Sequence, residues 1–437
     1  MDSVILQQGL QLILSLSLLV ILHELGHFIP ARAFRTRVEK FYLFFDLKFA
    51  LWKRTIKGTE FGIGWIPLGG YVKIAGMIDE SMDKEQMQQP PQPWEFRAKP
   101  AWQRLIIMLG GVTVNLLLGL AIYAMVLFVW GRDYLPLGNE TYGVMPSEVM
   151  KEQGVLPGDR ILAIDGERKQ TLQDIGRAIL IDDARILTID RGGKEMNVVL
   201  STDVHEKILD RKEKVLFVPR IPFVVDSLAR GGNAEKSGGF RKADRIVGIN
   251  GAPAPFFSDF VEAVGELKGR TVNVEVVREG TKLLVPVEVD DNGRIGIYNQ
   301  GLDKQFTLAT ERYTFLGSIP AGIKYGLEIL GGYARSLKLV FSSSGVKQMG
   351  GFGTIGGLFG RWGDWQTFWE TTAFISIVLA FMNVLPIPAL DGGHVMFLLY
   401  EMVARKPAPQ RVMEVAQMIG MAFILLLILY ANGNDIF

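Results

Sequence analysis

The sequence predicts a polytopic α-helical membrane protein, of about four transmembrane helices, with two β-rich domains inserted between spans two and three. Three observations predict this class. Apolar residues make up 49% of the 437-residue chain, and mean hydropathy is +0.22, more apolar than a soluble protein of this size requires. Four segments approach the roughly 20 apolar residues that a membrane span needs. Between the second and third lies a polar, glycine-rich region that repeats itself.

The spans are expected at 4–28, 105–130, 372–390 and 415–431. No basic residue precedes the first apolar run, so it reads as a retained span and not a cleaved leader. The third is broken by Asn383, Pro386 and Pro388. Basic residues set the orientation. Arg32, Arg35, Arg37, Lys40 and further cations up to Arg104 lie between spans one and two, and Arg405, Lys406 and Arg411 between spans three and four. Both segments therefore face the cytoplasm, while the N-terminus, the middle region and the C-terminus face outward. A formal net charge of +1 gives no polyelectrolyte argument, so no nucleic acid partner is expected. The chain has no cysteine, so any metal must be held by histidine, carboxylate or amide oxygen.

In the middle region, "GDRILAIDG" (158–166) recurs as "ADRIVGING" (243–251) with Asp, Arg, two Ile and the closing Gly at the same spacing. Each copy reads as a short helix, a glycine turn, a buried strand and an Asx-Gly turn. "TVNVEVV" (271–277) and "LLVPVEV" (283–289) read as further strands. The pattern resembles the circularly permuted PDZ domain of bacterial proteases over 140–215 and 217–300; another pair of small β-rich modules also satisfies it. The PDZ resemblance implies strand edges able to take peptide C-termini or strands by β-augmentation.

The first span contains "HELGH" (23–27). His23 and His27, four residues apart, share one helix face and can meet one metal ion. Glu24 lies about 100° around the helix, placed to reach a metal-bound water without being a ligand. Ionisable groups at that depth mark function by default. Zinc in a catalytic site takes three protein ligands, and the third is sought in "NVLPIPALDGGH" (383–394), where Asp391 falls at the same cytoplasmic depth as the histidines. Two alternatives stay open: Asp391 caps the helix that follows, or His394 supplies a third nitrogen. "FGIGWIPLGGYVKIAGM" (61–77) reads as two β-like runs joined by a Pro-Leu-Gly-Gly turn, either a structural hairpin or an edge that pairs with an extended substrate. Residues 79–96 read as a Pro-rich linker, and 345–362 as a Gly-rich element on the outer face.

Taken together, "HELGH", "LDG", "IPLGGYVKI" and the paired repeats resemble the site-2 protease family of intramembrane zinc metalloproteases over nearly the whole chain. The resemblance implies Zn²⁺ held by His23, His27 and Asp391, Glu24 as the catalytic carboxylate, and Asn383, Pro388, Gly69 and Gly70 in contact with substrate. It implies partners that are single-span, pre-trimmed proteins embedded in the lipid bilayer of the bacterial inner membrane, with the repeat pair as an outward-facing filter. One departure is "GGVTVN" (110–115), where the family often has Gly-Pro before the Asn; Asn115 itself is present. A non-catalytic scaffold that binds peptides through the repeats is the alternative, and the intact His-Glu-His set argues against it. The implied layout is 1–130 for spans one and two, 301–370 as a connecting region, and 371–437 for spans three and four.

Overall fold

The computed structural model describes residues 2–77, 90–211, 213, 215–229, 231–340 and 350–436. Most of the linker expected at 79–96, and the start of the Gly-rich segment at 345–362, lie outside the described residues. The chain divides into two compact units, Met1–Gly131 with Arg312–Phe437, and Arg132–Glu311.

The first unit carries helices α1 (Asp2–Ala33), α2 (Ala101–Val129), α3 (Phe315–Val340), α4 (Trp365–Val384), α5 (Asp391–Ala404) and α6 (Gln410–Ile436). Among the described residues, four of these are long and apolar enough to cross a membrane: α1, α2, α4 and α6. The second and fourth spans run a few residues beyond the sequence expectation, and three other boundaries differ for local reasons. Helix α1 runs on past Phe28 through Pro30. Because Pro30 has no N–H, the Gly26 carbonyl is left without its donor four residues on. That carbonyl lies against Gly110 of α2, where an added Cβ would stand 1.9 Å from it. Helix α4 begins at Trp365, not near Thr372, because Asp364 caps it by accepting from Thr367 N at 3.1 Å. It ends at Val384 and not at Leu390, since Leu385 precedes a proline and turns extended. The region read as a connector also holds α3, an amphipathic helix that packs on α2 through Tyr325 against Tyr123, ring centroids 5.0 Å apart.

A four-stranded sheet completes this unit: β1 (Val38–Phe45), β2 (Trp52–Ile56), β3 (Thr59–Ile63) and β4 (Ile66–Ile74), in the order β2-β3-β1-β4. The expected hairpin between β3 and β4 does not form. Strand β1 lies between them, parallel to β3 and antiparallel to β4. Residues 67–70, read as a turn, are strand, because Gly69 takes a mirror-extended φ of +149° that lets the chain continue.

The second unit is the repeat. Each copy opens on a strand that pairs antiparallel with the copy's own last strand. In the first copy β6 (Val144–Pro146) pairs with β10 (Phe217–Pro219); in the second β11 (Phe223–Leu228) pairs with β16 (Ile297–Asn299). Between them come β7 (Arg160–Ile164) with the hairpin β8 (Ile186–Arg191) and β9 (Lys194–Val199), matched by β12 (Arg245–Ile249) with β14 (Thr271–Arg278) and β15 (Thr281–Glu288). A two-residue strand, β13 (Ala252–Pro253), pairs with β12. Each copy encloses its own apolar core, around Ile161, Ile175 and Leu187 in one and Phe223, Ile246 and Val274 in the other. Strand β10 closes the first copy, which puts the border between the copies after Pro219. Strands β5 (Arg132–Tyr134) and β17 (Ala309–Glu311) pair where the chain enters and leaves the unit.

The repeated Asp proves to be structural. Asp159 and Asp244, both buried, are held by Arg191 and Arg278 from the ends of β8 and β14. Each arginine also donates to a main-chain carbonyl before the repeated strand, Gly154 or Gly239. The repeated turn residue acts alike in both copies, Asp165 accepting from Ile186 N and Asn250 from Asn273 N, each at 2.8 Å. Where the first copy has Gly158 at φ +97°, the second places Ala243 at φ +69°, so the missing glycine leaves the turn intact but strained. Burial opposes ionisation of Asp244, but the hydrogen bonds from Arg278 outweigh it and hold the carboxyl below the usual range. The ionised pair therefore stabilises the second copy above the ordinary carboxylate pKa of about 4, and that contribution is lost as pH falls through the lowered folded-state value. Arg278→Met, which strands the Asp244 charge, should speed hydrogen exchange across β12 and β14 at least about tenfold at pH 7 while leaving β7 and β8 unchanged.

Candidate metal centre

The two histidines stand one helical turn apart on α1, and Asp391 opens α5. The loop between α4 and α5 delivers the carboxylate. Ile387 N bonds to Leu385 O at 2.7 Å across Pro386, a three-residue turn. Ala389, two residues before Asp391, takes a left-handed φ of +79°. Strain of that kind in a non-glycine residue clusters at functional sites. The N-cap of α5 is Leu390, with no side-chain cap bond. Asp391 does not cap the helix; its carboxylate faces the imidazoles.

Three atoms converge. His23 Nε2 lies 3.3 Å and His27 Nε2 3.4 Å from Asp391 Oδ2, and the two nitrogens are 3.2 Å apart. Donor atoms held about 2.0–2.1 Å from a tetrahedral ion stand about 3.3–3.4 Å from one another, so the triangle has the size that zinc requires. The tautomers agree with this. His27 Nδ1 is 2.8 Å from the Ile107 carbonyl, which can only accept, so Nδ1 carries the hydrogen and, in the neutral ring, Nε2 presents a lone pair. That lone pair points at Asp391 Oδ2, which is buried and has no hydrogen-bond partner. Two electron-rich atoms at this separation repel unless a proton or a metal ion lies between them. Among the described residues this is the cluster of three histidine and carboxylate groups able to hold a metal ion, and His394 is not part of it.

Helix α2 backs the centre with three residues at intervals of four: Ile107, Gly111 and Asn115. A Cβ on Gly111 would stand 2.4 Å from His27 Nε2 and 2.6 Å from His23 Cε1, so glycine is what lets both rings sit against α2. Asn115 is 3.2 Å from His23 Nδ1. Sequence reading singled out Asn115 as retained but gave it no role; the four-residue spacing with Gly111 was the available signal.

The remaining predicted residues are not among the three corners of this triangle. Glu24 is buried in α1 with 9% of its surface exposed. Asn383 is half-buried in the last turn of α4, and Pro388 half-buried in the loop three residues before Asp391. Gly69 and Gly70 lie on β4, which ends the sheet order. A Cβ on Gly70 would come within 2.7 Å of Val20 Cγ1. Val20 is one turn before Glu24 on α1, so β4 runs along the helix face that carries the carboxylate.

Comparison with known proteins gives a consistent match. The model of peptidase family M50 aligns with residues 11–427. The chain is 29% identical over 460 residues to the regulator of sigma E protease of Haemophilus influenzae, covering 97% of each chain. It is 28% identical over 457 residues to the regulator of sigma-E protease RseP of Escherichia coli, again covering 97% of each. A Ralstonia nicotianae protein, provisionally named a zinc metalloprotease, is 26% identical over 468 residues, covering 98% of this chain and 97% of its own.

Proposed function

Since the chain belongs to peptidase family M50, the zinc-dependent site-2 metalloproteases, we propose that it cleaves transmembrane segments of proteins at the centre formed by His23, His27 and Asp391. It is a multi-pass protein of the bacterial inner membrane acting in regulated intramembrane proteolysis. The observation that carries the site assignment is the triangle of two Nε2 atoms and one carboxylate oxygen, 3.2–3.4 Å on a side. When bound there, Zn²⁺ supplies a Lewis acid for a peptide carbonyl and brings the pKa of water near 7.

The chain's own residues do the rest. Glu24 takes the proton of the attacking water and returns it to the departing amine. Burial keeps that carboxylate from competing hydrogen bonds with bulk water. A helical substrate hides its carbonyls and must unwind before it can be cut. The outer edge of β4, at Gly69 and Gly70, offers main-chain donors and acceptors to the unwound stretch. Asn383, at the end of α4, has a carboxamide suited to holding the substrate backbone, and Pro388 fixes the loop beside it. The substrates are single-span proteins already trimmed outside, such as anti-sigma factors or signal-peptide remnants. The repeat pair, as PDZ domains on the outer face, excludes bulky ectodomains, and the centre opens toward the cytoplasmic side.

Two measurements test this. Purified in detergent, the chain should carry one zinc per chain and cleave a membrane-tethered model substrate; chelation should stop cleavage and added zinc restore it. Cleavage that persists in the metal-free protein refutes the reading. The pairing of Tyr134 with Ala309 shows where to excise the repeat: joining β5 to β17 through an Asn-Gly turn closes a hairpin without a gap. The shortened protein should cleave substrates whose ectodomains the full chain rejects. If it cleaves nothing while still holding zinc, the repeat is a docking element and not a filter.

A further inference from the structure

We propose that Asn115 is a positioning residue: its carboxamide oxygen accepts a hydrogen bond from His23 Nδ1 and so fixes the nitrogen that His23 turns toward the metal. The inference rests on the ligand assignment above and adds a residue to it. Its starting point is an asymmetry between two equivalent rings. His27 has a partner that settles its tautomer, the Ile107 carbonyl at 2.8 Å. His23 uses the same nitrogen, Nε2, toward the same Asp391 oxygen at 3.3 Å. A neutral imidazole has one donor and one acceptor nitrogen, so if Nε2 offers its lone pair then Nδ1 must donate. Whatever faces Nδ1 must therefore accept.

Asn115 is what faces it, at 3.2 Å and 1% exposed. The carboxamide nitrogen is the nearer atom, and Oδ1 is buried without a hydrogen-bond partner. A half-turn of the carboxamide exchanges the two atoms. It removes a clash of donors at His23 Nδ1 and gives the orphaned oxygen a donor. The backbone beneath is already fixed, since Ser376 Oγ of α4 donates to the Asn115 carbonyl at 2.7 Å. Ile107, Gly111 and Asn115, spaced by four, then form one continuous face of α2: an acceptor for His27, room for both rings, an acceptor for His23. Partners of this kind fix ring orientation and raise ligand basicity, and losing one costs about 10–100-fold in metal affinity.

The test uses the full chain in detergent, with Co²⁺ as probe, titrated against a chelating dye and followed by visible absorption. Asn115→Leu, which keeps the bulk and removes the acceptor, should weaken Co²⁺ binding by about 10–100-fold and shift the absorption bands. Asn115→Asp supplies an oxygen in the same place and should bind within a few-fold of the unsubstituted chain. A donating carboxamide would give the opposite result, because a carboxylate cannot donate to Nδ1. If Asn115→Leu does not fold, as judged by size exclusion, Asn115→Ala carries the same expectation. Unchanged affinity and spectrum in the Leu or Ala variant overturn the proposal, as does an Asp variant that loses the metal equally. Failure of the unsubstituted chain to bind Co²⁺ would overturn the ligand assignment instead.

Discussion

Glu24→Gln lowers the cleavage rate of a membrane-tethered model substrate by about 10²–10⁴-fold, the range of a lost general base, and leaves zinc content at the level of the unsubstituted chain. Glutamine matches glutamate in shape, so α1 and its packing are undisturbed, and the three ligand atoms lie on other residues. What disappears is the group that can hold a proton between water and leaving amine. Activity lost while zinc content and the fold are kept separates a chemical role from a structural one. Cleavage at the full rate, with zinc bound, would refute the assignment of Glu24.

Much of this centre was legible because its information is local. The spacing of His23 and His27 fixes a shared face on any helix, and the apolar run around them fixes the helix. The repeat was legible for a similar reason: the Asp and the Asx-Gly turn keep their spacing because each serves a fixed local geometry, holding a turn and pairing with an arginine two strands on. Asp391 was reachable only through topology, since it lies 364 positions beyond His27 in the chain.

What escaped sequence reading was non-local or capped by a single residue. Nothing within residues 61–77 says that β1 will insert between β3 and β4, and a Pro-Leu-Gly-Gly run reads as a turn unless its glycine can extend with positive φ. Helix α3 carries Lys324, Glu328, Arg335 and Lys338 among apolar residues and five glycines, a pattern too polar for a span and too glycine-rich to signal a helix. Its apolar side is spent on α2, a partner nearly 200 residues earlier. The role of Ile107 was invisible in principle, because the group that holds His27 is a main-chain carbonyl and any residue supplies one.

Asp391→Ala should bring zinc content from about one ion per chain to well below stoichiometric and abolish cleavage, a larger loss than the roughly tenfold to hundredfold that removing a supporting partner costs. The substitution leaves two imidazoles where catalytic zinc takes three protein ligands. It also removes the one anionic ligand, so less of the ion's charge is offset in an apolar setting. Chelation supplies an internal check: a ligand bound only by the folded state stabilises it, so stripping zinc should lower the melting temperature of the unsubstituted chain and leave that of Asp391→Ala where it was. His394 is the control, one turn further along α5 and outside the triangle. His394→Ala should keep its zinc. Should Asp391→Ala retain the metal and His394→Ala release it, the third ligand is a nitrogen, and the 3.3 and 3.4 Å approaches of Asp391 to the two histidines are an ion pair and not a coordination site.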